Sequence, residues 1–267
     1  MNEIMEIRKI IEEDFTHIRV IASKMWEGND YLPGVFDEWL ADGGFYALTV
    51  DDTVVGVTKI TLLPCNVIWL EGLRMDPDYQ GRGLGEKLAQ FAFEKAVGLV
   101  NADKANHIEF STYYKNHASL HIAKKAGFEV IERFFILSGE FRGSGEIEKA
   151  ILTENDFRQS DRHITAGWKI IARCSESTRW LNRKCNVYSA GGSKFYIRKN
   201  DTVINLTDYS KEGLIESVDS ITRKLNGQYD IVIPDYREES ISDIKNLGFE
   251  FWEKPEGPNM FLLRLVN

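Results

Sequence analysis

Residues 75–88 read Met-Asp-Pro-Asp-Tyr-Gln-Gly-Arg-Gly-Leu-Gly-Glu-Lys-Leu. An extended stretch ends near Asp76-Pro77, and a turn follows with Gly81, Gly83 and Gly85. Leu84, Leu88 and Phe91 then recur at the spacing of one helix face. A strand that passes through a glycine-rich turn into a helix is an anion site. The first N–H groups of the helix lack partners and carry positive potential there. Glycines remove the Cβ atoms that would hold a phosphate away from the backbone. Two common phosphate loops are excluded. The nucleotide loop needs Gly-Lys-Ser/Thr, and Gly85 is followed by Glu86-Lys87. The dinucleotide fingerprint needs G-x-G-x-x-G, and the spacing here is G-x-G-x-G.

Other reactive side chains are less organised. His117 and His121 share an i, i+4 spacing that metal ligands sometimes use, but no third ligand accompanies them and no metal is expected. Trp168, Arg173, Trp180 and Tyr188 form an aromatic and basic group that could suit a carboxylate or serve as ordinary core. Cys65, Cys174 and Cys185 are too few and too scattered for a disulfide framework, and no C-x-x-C occurs.

The elements that must position the loop read as mixed α/β. Strands are expected over residues 5–11, 46–50, 54–62, 67–75, 108–112 and 129–137. Gly72 inside the fourth strand suggests a bulge. Helices are expected after Glu12-Glu13-Asp14, over 35–40, 83–100 and 116–126, with 28–34 as a loop. Residues 107–130 and 230–251 echo each other. Each has a short apolar strand, a polar loop, a helix, then Gly-Phe and another strand. Leu214, Val218, Ile221 and Leu225 supply the helix face that precedes the second copy. Three glycines within residues 138–146 mark a linker, which divides the chain into domains 1–140 and 146–267.

The chain has 267 residues, 43% of them hydrophobic and 28% charged, a globular composition. Its net charge of −8 disfavours nucleic acid or an anionic membrane as partner. The N-terminus is charged from Glu3 onward, and no apolar run approaches the roughly 18 residues of a spanning helix, so a cytoplasmic location is expected.

Gln80-x-x-Gly83-x-Gly85, preceded by Leu73-x-Met75-x-Pro77, resembles the pyrophosphate-binding loop of the GCN5-related N-acetyltransferase (GNAT) superfamily. Asn116, followed eleven residues on by Gly127-Phe128, resembles that superfamily's later motif. The element order of residues 1–137 is similar too. Within the superfamily, Asp30-Tyr-Leu-Pro33, Trp39 and Glu71-Gly-Leu-Arg74 resemble the histidine N-acetyltransferase group. The resemblance implies a GNAT fold, with a mixed, mostly antiparallel sheet flanked by helices. Residues 146–267 would be a second, degenerate GNAT-like domain without the loop. It further implies acetyl-CoA as co-substrate, held by Leu73, Met75, Gln80, Gly81, Arg82, Gly83, Leu84, Gly85, Glu86 and Asn116. The acceptor would be the amine of a small molecule, an amino acid such as histidine among the candidates. Alternatives are a protein N-terminal or lysine acceptor, or a CoA-binding regulator without turnover.

The resemblance also assigns roles. The N–H of Met75 would stabilise the charge that develops on the thioester oxygen. Glu71 is the candidate general base; it could equally bind the substrate's ammonium or pair with a cation such as Arg74. Alternation puts Glu71, Leu73 and Met75 on one face unless the bulge shifts them. Asp30 and Tyr31 fall where family members build the acceptor pocket. The family's usual acid, a tyrosine seven residues after the Asn, is replaced by Ala123; Tyr113, Tyr114, Ser119 and His121 lie nearby in sequence.

Overall fold

The computed structural model describes residues 3–157, 163–190, 192–253 and 257–266. The chain divides into two units. The first holds residues 1–110, 121–128 and 265–267, and the second holds 111–120 and 129–264.

In the first unit the strands are β1 (Met5–Lys9), β2 (Phe45–Val50), β3 (Thr53–Leu63), β4 (Val67–Met75) and β5 (His107–Tyr113), whose last residues pass into the second unit. They lie side by side in chain order. The pairs are antiparallel except the last. β4 and β5 run parallel over Val67↔His107, Ile68↔Ile108 and Trp69↔Glu109. The parallel step needs a crossover, and α3 (Leu84–Asn101) makes it. Helix α3 covers one face, where Leu84 and Leu88 bury against Leu48, Val50, Val55 and Met75. The other face belongs to α1 (Phe15–Ser23) and α2 (Leu32–Asp42). Ile18, Ile21, Phe36 and Trp39 pack there against Phe45, Ala47 and Val57. Helix α4 (His117–Lys125) follows β5.

The expected boundaries hold to within a few residues, with two corrections. Helix α2 begins at Leu32, inside the stretch read as a loop. Pro33 sits in its first turn, where its fixed φ is helical and its missing N–H is not needed. Asp30 Oδ1 accepts the N–H of Leu32 at 2.9 Å, which closes that end. The glycine-rich stretch read as a linker is strand as far as Arg142. Residues 128–142 form β6, and Phe134–Arg142 pair antiparallel with β12 (Asn226–Pro234). The glycines serve close approach rather than flexibility. A Cβ at Gly143 would lie 2.5 Å from the carbonyl oxygen of Leu225.

The second unit carries β7 (His163–Ala166), β8 (Lys169–Ala172), α5 (Ser175–Lys184), β9 (Cys185–Ala190), β10 (Ser193–Arg198) and β11 (Val203–Leu206). Helix α6 (Lys211–Lys224), β12, α7 (Ile241–Asn246), β13 (Glu250–Phe251) and β14 (Met260–Leu265) complete it. Its main sheet has the order β14-β6-β12-β11-β10-β9, with β13 on β6 and β7–β8 as a separate hairpin. β9, β10 and β11 are antiparallel neighbours, β11 and β12 are parallel with α6 between them, and α7 precedes a final strand. That is the order of β2, β3, β4, α3, β5 and α4 earlier in the chain. Leu214, Val218, Ile221 and Leu225 are buried, as their spacing predicted. Among the described residues no helix is long and apolar enough to cross a membrane.

Candidate active site

The turn between β4 and α3 is built by local rules. Asp76 ends the strand, and its Oδ1 accepts the N–H of Asp78 at 3.0 Å. Lys24 from α1 clamps both acids, 2.8 Å from Asp76 and 2.6 Å from Asp78. The Lys24 ammonium is held above the ordinary lysine range, by its hydrogen bond to Asp76 first and then to Asp78. Gln80 Nε2 donates to the carbonyl of Met75 at 3.3 Å. Gly81 and Gly83 have φ of +73° and +74°, and a Cβ at either would meet nothing within 4 Å. They line open space at the start of the helix. The first helical bond there is Lys87 N–H to the Gly83 carbonyl, so the N–H groups of Leu84, Gly85 and Glu86 precede the ladder. Gly85 differs from the other two. Its Cβ would press on Met75 Cγ at 3.2 Å, so it also lets α3 pack on β4.

Cations ring this end. The Arg82 guanidinium lies over the Tyr79 ring at 5.4 Å and pairs with Glu3. Lys125 pairs with Glu86 and, with His121 nearby, holds the Glu86 carboxyl below its usual range, the Lys125 hydrogen bond being the largest cause. Asn116 caps α4, its Oδ1 accepting the N–H of Ser119 at 3.2 Å. The counterpart turn in the second unit closes on itself. Ser210 Oγ accepts the N–H of Gly213 at 3.2 Å, Asp208 Oδ1 accepts that of Ser210 at 2.8 Å, and a Cβ on Gly213 would collide with the Asp208 carboxylate. An anion of the chain thus already occupies the α6 N-terminus.

Strand β4 is bulged at Gly72-Leu73. Val57 faces Arg74 and Lys59 faces Glu71, so two residues of β4 oppose the single Thr58. Gly72 has φ +68°, and its bare Cα lets the Trp39 ring approach; a Cβ would sit 2.5 Å from Trp39 Cζ3. The bulge decides the facing that alternation left open. Leu73 and Met75 turn to the α3 face with Leu84 and Leu88. Glu71 shares the opposite face with Lys59, Val57 and Arg74, so the three alternating residues are not on one face.

On that face Glu71 Oε1 accepts from Thr61 Oγ1 at 2.6 Å, and Thr61 Oγ1 accepts from Lys59 Nζ at 2.9 Å. Lys59 is 1% exposed. A buried ammonium must be compensated, and this chain of hydrogen bonds links it through Thr61 to the Glu71 carboxylate. Asp30 is fully buried at its side chain. Its Oδ1 holds Leu32, and its Oδ2 accepts from Arg74 Nε at 2.8 Å. The Arg74 guanidinium is stacked 4.4 Å from the Trp26 ring and 5.2 Å from that of Tyr31. The Tyr31 phenol is pushed above its ordinary range by desolvation of its hydroxyl first. Arg74 opposes that shift, and Glu71 and Asp30 add to it.

The structure therefore brings Tyr31, Glu71 and Asp30 into one region, and it adds Lys59, Thr61, Arg74 and Trp26, which sequence reasoning did not assign to the site. The sequence offered Arg74 only as part of Glu71-Gly-Leu-Arg74 and as a possible partner of Glu71; the structure pairs it with Asp30 instead. Met75 also gains a defined direction. Asp76 N–H donates across to the Val55 carbonyl at 2.8 Å, so the N–H of Met75, one residue earlier, points to the other edge of β4. Ala123 is 1% exposed and offers no acid. Trp168, Trp180 and Tyr188 are not one cluster. Their rings pack respectively on Trp252, on the Leu152–Phe157 core and on Phe195. Among the described residues no cluster of His, Cys, Asp or Glu is arranged to hold a metal.

Comparison with known proteins agrees with the fold. The model of the acetyltransferase (GNAT) family matches residues 4–128. No curated protein matches the sequence. Among solved structures, a proposed acetyltransferase from Thermoplasma acidophilum superposes with a TM-score of 0.67 at 18% identity, over 98% of this chain and all of the other. One from Pyrococcus horikoshii gives 0.68 at 14% identity, over 98% and 89%. A GCN5-related N-acetyltransferase from Sphaerobacter thermophilus gives 0.66 at 10%, over 97% and 95%. These likenesses establish the α/β GNAT fold. Residues 4–128 are similar in sequence to the acetyltransferase (GNAT) family domain.

Proposed function

We propose that the loop of residues 80–86 holds the pyrophosphate of acetyl-CoA and that the chain moves the acetyl group to the amine of a small molecule. An amino acid such as histidine is the first candidate acceptor. The observation that carries this reading is the open cradle at Gly81 and Gly83, with three helix N–H groups ahead of the ladder and cationic side chains around it. It fits a diphosphate and would be filled by any Cβ. Leu73 and Met75 border the cradle on β4, and Asn116 stays with the pantetheine arm only by resemblance. Acetyl-CoA supplies the activated acyl group when bound.

The protein's own residues then have three tasks. The Met75 N–H offers a fixed donor on the free edge of β4. Glu71, oriented by Thr61 and Lys59, attracts the ammonium or takes its proton through water. A free α-amino group has a pKa near 8, so little base strength is needed to expose its lone pair. Tyr31 and Trp26 wall the acceptor, while Asp30 acts by holding Arg74. Residues 1–140 carry the reaction in this reading. Residues 146–267 are a degenerate repeat that has lost CoA binding, since Asp208 and Ser210 occupy the helix end that a phosphate would need. The setting is the cytoplasm.

The test is mass spectrometry of products from purified protein, acetyl-CoA and a panel of amino acids, polyamines and peptides. Acetylation of a free amino acid or polyamine supports the reading. Acetylation of peptides only would move the acceptor to proteins, and CoA binding without any product would make the protein a regulator. Within it, Glu71→Gln keeps the size of the side chain and its bond to Thr61. It is expected to lower kcat by roughly 100-fold with acetyl-CoA affinity within about threefold. A rise in the amine KM alone would make Glu71 a binding group, and unchanged kinetics would remove it from the site.

A further inference from the structure

We infer that Arg74 reads an acidic group on the acceptor, so that the substrate is an α-amino acid or another small molecule with amine and carboxylate close together. The inference rests on the acetyl-transfer reading above and deepens it. Its ground is the bulge at Gly72-Leu73. In a regular strand, residues three apart face opposite ways. Here Glu71 and Arg74 lie on one face, opposite Lys59 and Val57. Their Cα atoms are at most roughly 10 Å apart, and both side chains are long enough to converge. The Tyr31 hydroxyl feels the charges of both. One face of the strand thus carries both a carboxylate and a guanidinium.

Arg74 is prepared for this. Three groups of the protein take N–H bonds from it: Nε donates to Asp30 Oδ2 at 2.8 Å, Nη1 to the Leu73 carbonyl at 3.0 Å, and the guanidinium also bonds the Tyr31 hydroxyl, which leaves part of its five-donor fork for a ligand. The two aromatic rings stack on its plane and fix it, which suits fork-like recognition of a carboxylate. Trp26 reaches that position from a strained turn. Its φ is +44°, followed by +58° at Glu27 and +86° at Gly28, and the indole is 55% exposed. Two successive non-glycine residues in the left-handed region persist only where something outside their own preferences holds them. The stack on Arg74 is what this turn supplies.

The experiment is calorimetric titration of the full chain, saturated with CoA, with the common amino acids and their decarboxylated amines, such as histidine with histamine and tyrosine with tyramine. At least one acid should bind about 10- to 100-fold more tightly than its amine. In Arg74→Lys, which keeps a charge for Asp30 but loses the fork and the stack, that preference should fall to within about threefold while the amine's affinity is retained. Equal affinity within every pair of the wild type, or an equal loss for both members in the variant, overturns the inference and leaves Arg74 a structural partner of Asp30. Should Arg74→Lys fail to fold, Trp26→Ala keeps the ion pair and must also erode the preference; an intact preference there overturns the inference as well. Turnover confined to decarboxylated amines would sink this inference and spare acetyl transfer. Absence of turnover with any amine would sink acetyl transfer, and the binding comparison would still decide Arg74.

Discussion

Gly83→Asp is expected to weaken CoA binding by at least roughly 100-fold while leaving the protein folded. Gly83 is the left-handed residue before α3, with φ +74° and ψ 0°. A Cβ there meets nothing within 4 Å, so the branch point itself carries no clash. Aspartate tolerates this backbone region better than most residues, and the strain is about 1 kcal/mol. A carboxylate at a helix N-terminus even recovers part of it. The same carboxylate stands where a diphosphate must come, and like charges at a few ångströms in a partly dry site cost several kcal/mol. Calorimetry with CoA and a thermal melt check both halves. CoA affinity within about threefold of wild type would remove phosphate binding from this turn. Gly85→Asp would be a poorer experiment, because its Cβ presses on Met75 and the fold would suffer as well.

Gly72→Val should cost roughly 3–5 kcal/mol of stability. Two independent costs combine. The φ of +68° is hostile to a β-branched residue. The added Cβ would lie 2.5 Å from Trp39 Cζ3 and 2.6 Å from Cη2, and Trp39 is buried at 2% exposure among Phe36 and Phe45. The ring has no room to move. Urea titration followed by tryptophan fluorescence measures the loss. Trp39→Leu removes the colliding ring, so its own cost should shrink in the Gly72→Ala background, a non-additivity of contacting residues. If Gly72→Val were as stable as wild type, the bulge would not be set by Gly72, and the shared face of Glu71 and Arg74 would lose its basis.

The contrast between these two glycines shows what could be read from the sequence. The phosphate turn was legible because it is local: strand, glycines and helix follow one another within fourteen residues, and each follows known backbone preferences. The repeated order of elements was legible for the same reason, since each copy is a run of short local patterns. Gly72 announced a bulge, yet not its consequence, because the facing of Glu71 depends on its register with Lys59 across β3. Arg74 was named as a partner for Glu71, but its pairing with Asp30 was out of reach. Its partner Asp30 lies 44 residues away, and its stacking ring comes from an exposed turn with no periodic signal. Lys59 reads as a surface lysine in a strand and is instead buried, which only the packing of α1 and α2 over that face explains. The glycines of 138–146 misled in the other direction. Glycine marks both flexible chain and close backbone approach, and the pairing of β6 with β12 is a long-range event.

The proposed reaction is transfer of acetyl from acetyl-CoA to an amine. The most direct measurement is release of free CoA thiol from acetyl-CoA by the purified full-length protein, with each amine in turn and with Gly83→Asp run in parallel. The predicted result is amine-dependent thiol release with at least one small acceptor, lost in Gly83→Asp. Thiol release that ignores the amine, or persists undiminished in Gly83→Asp, would contradict it.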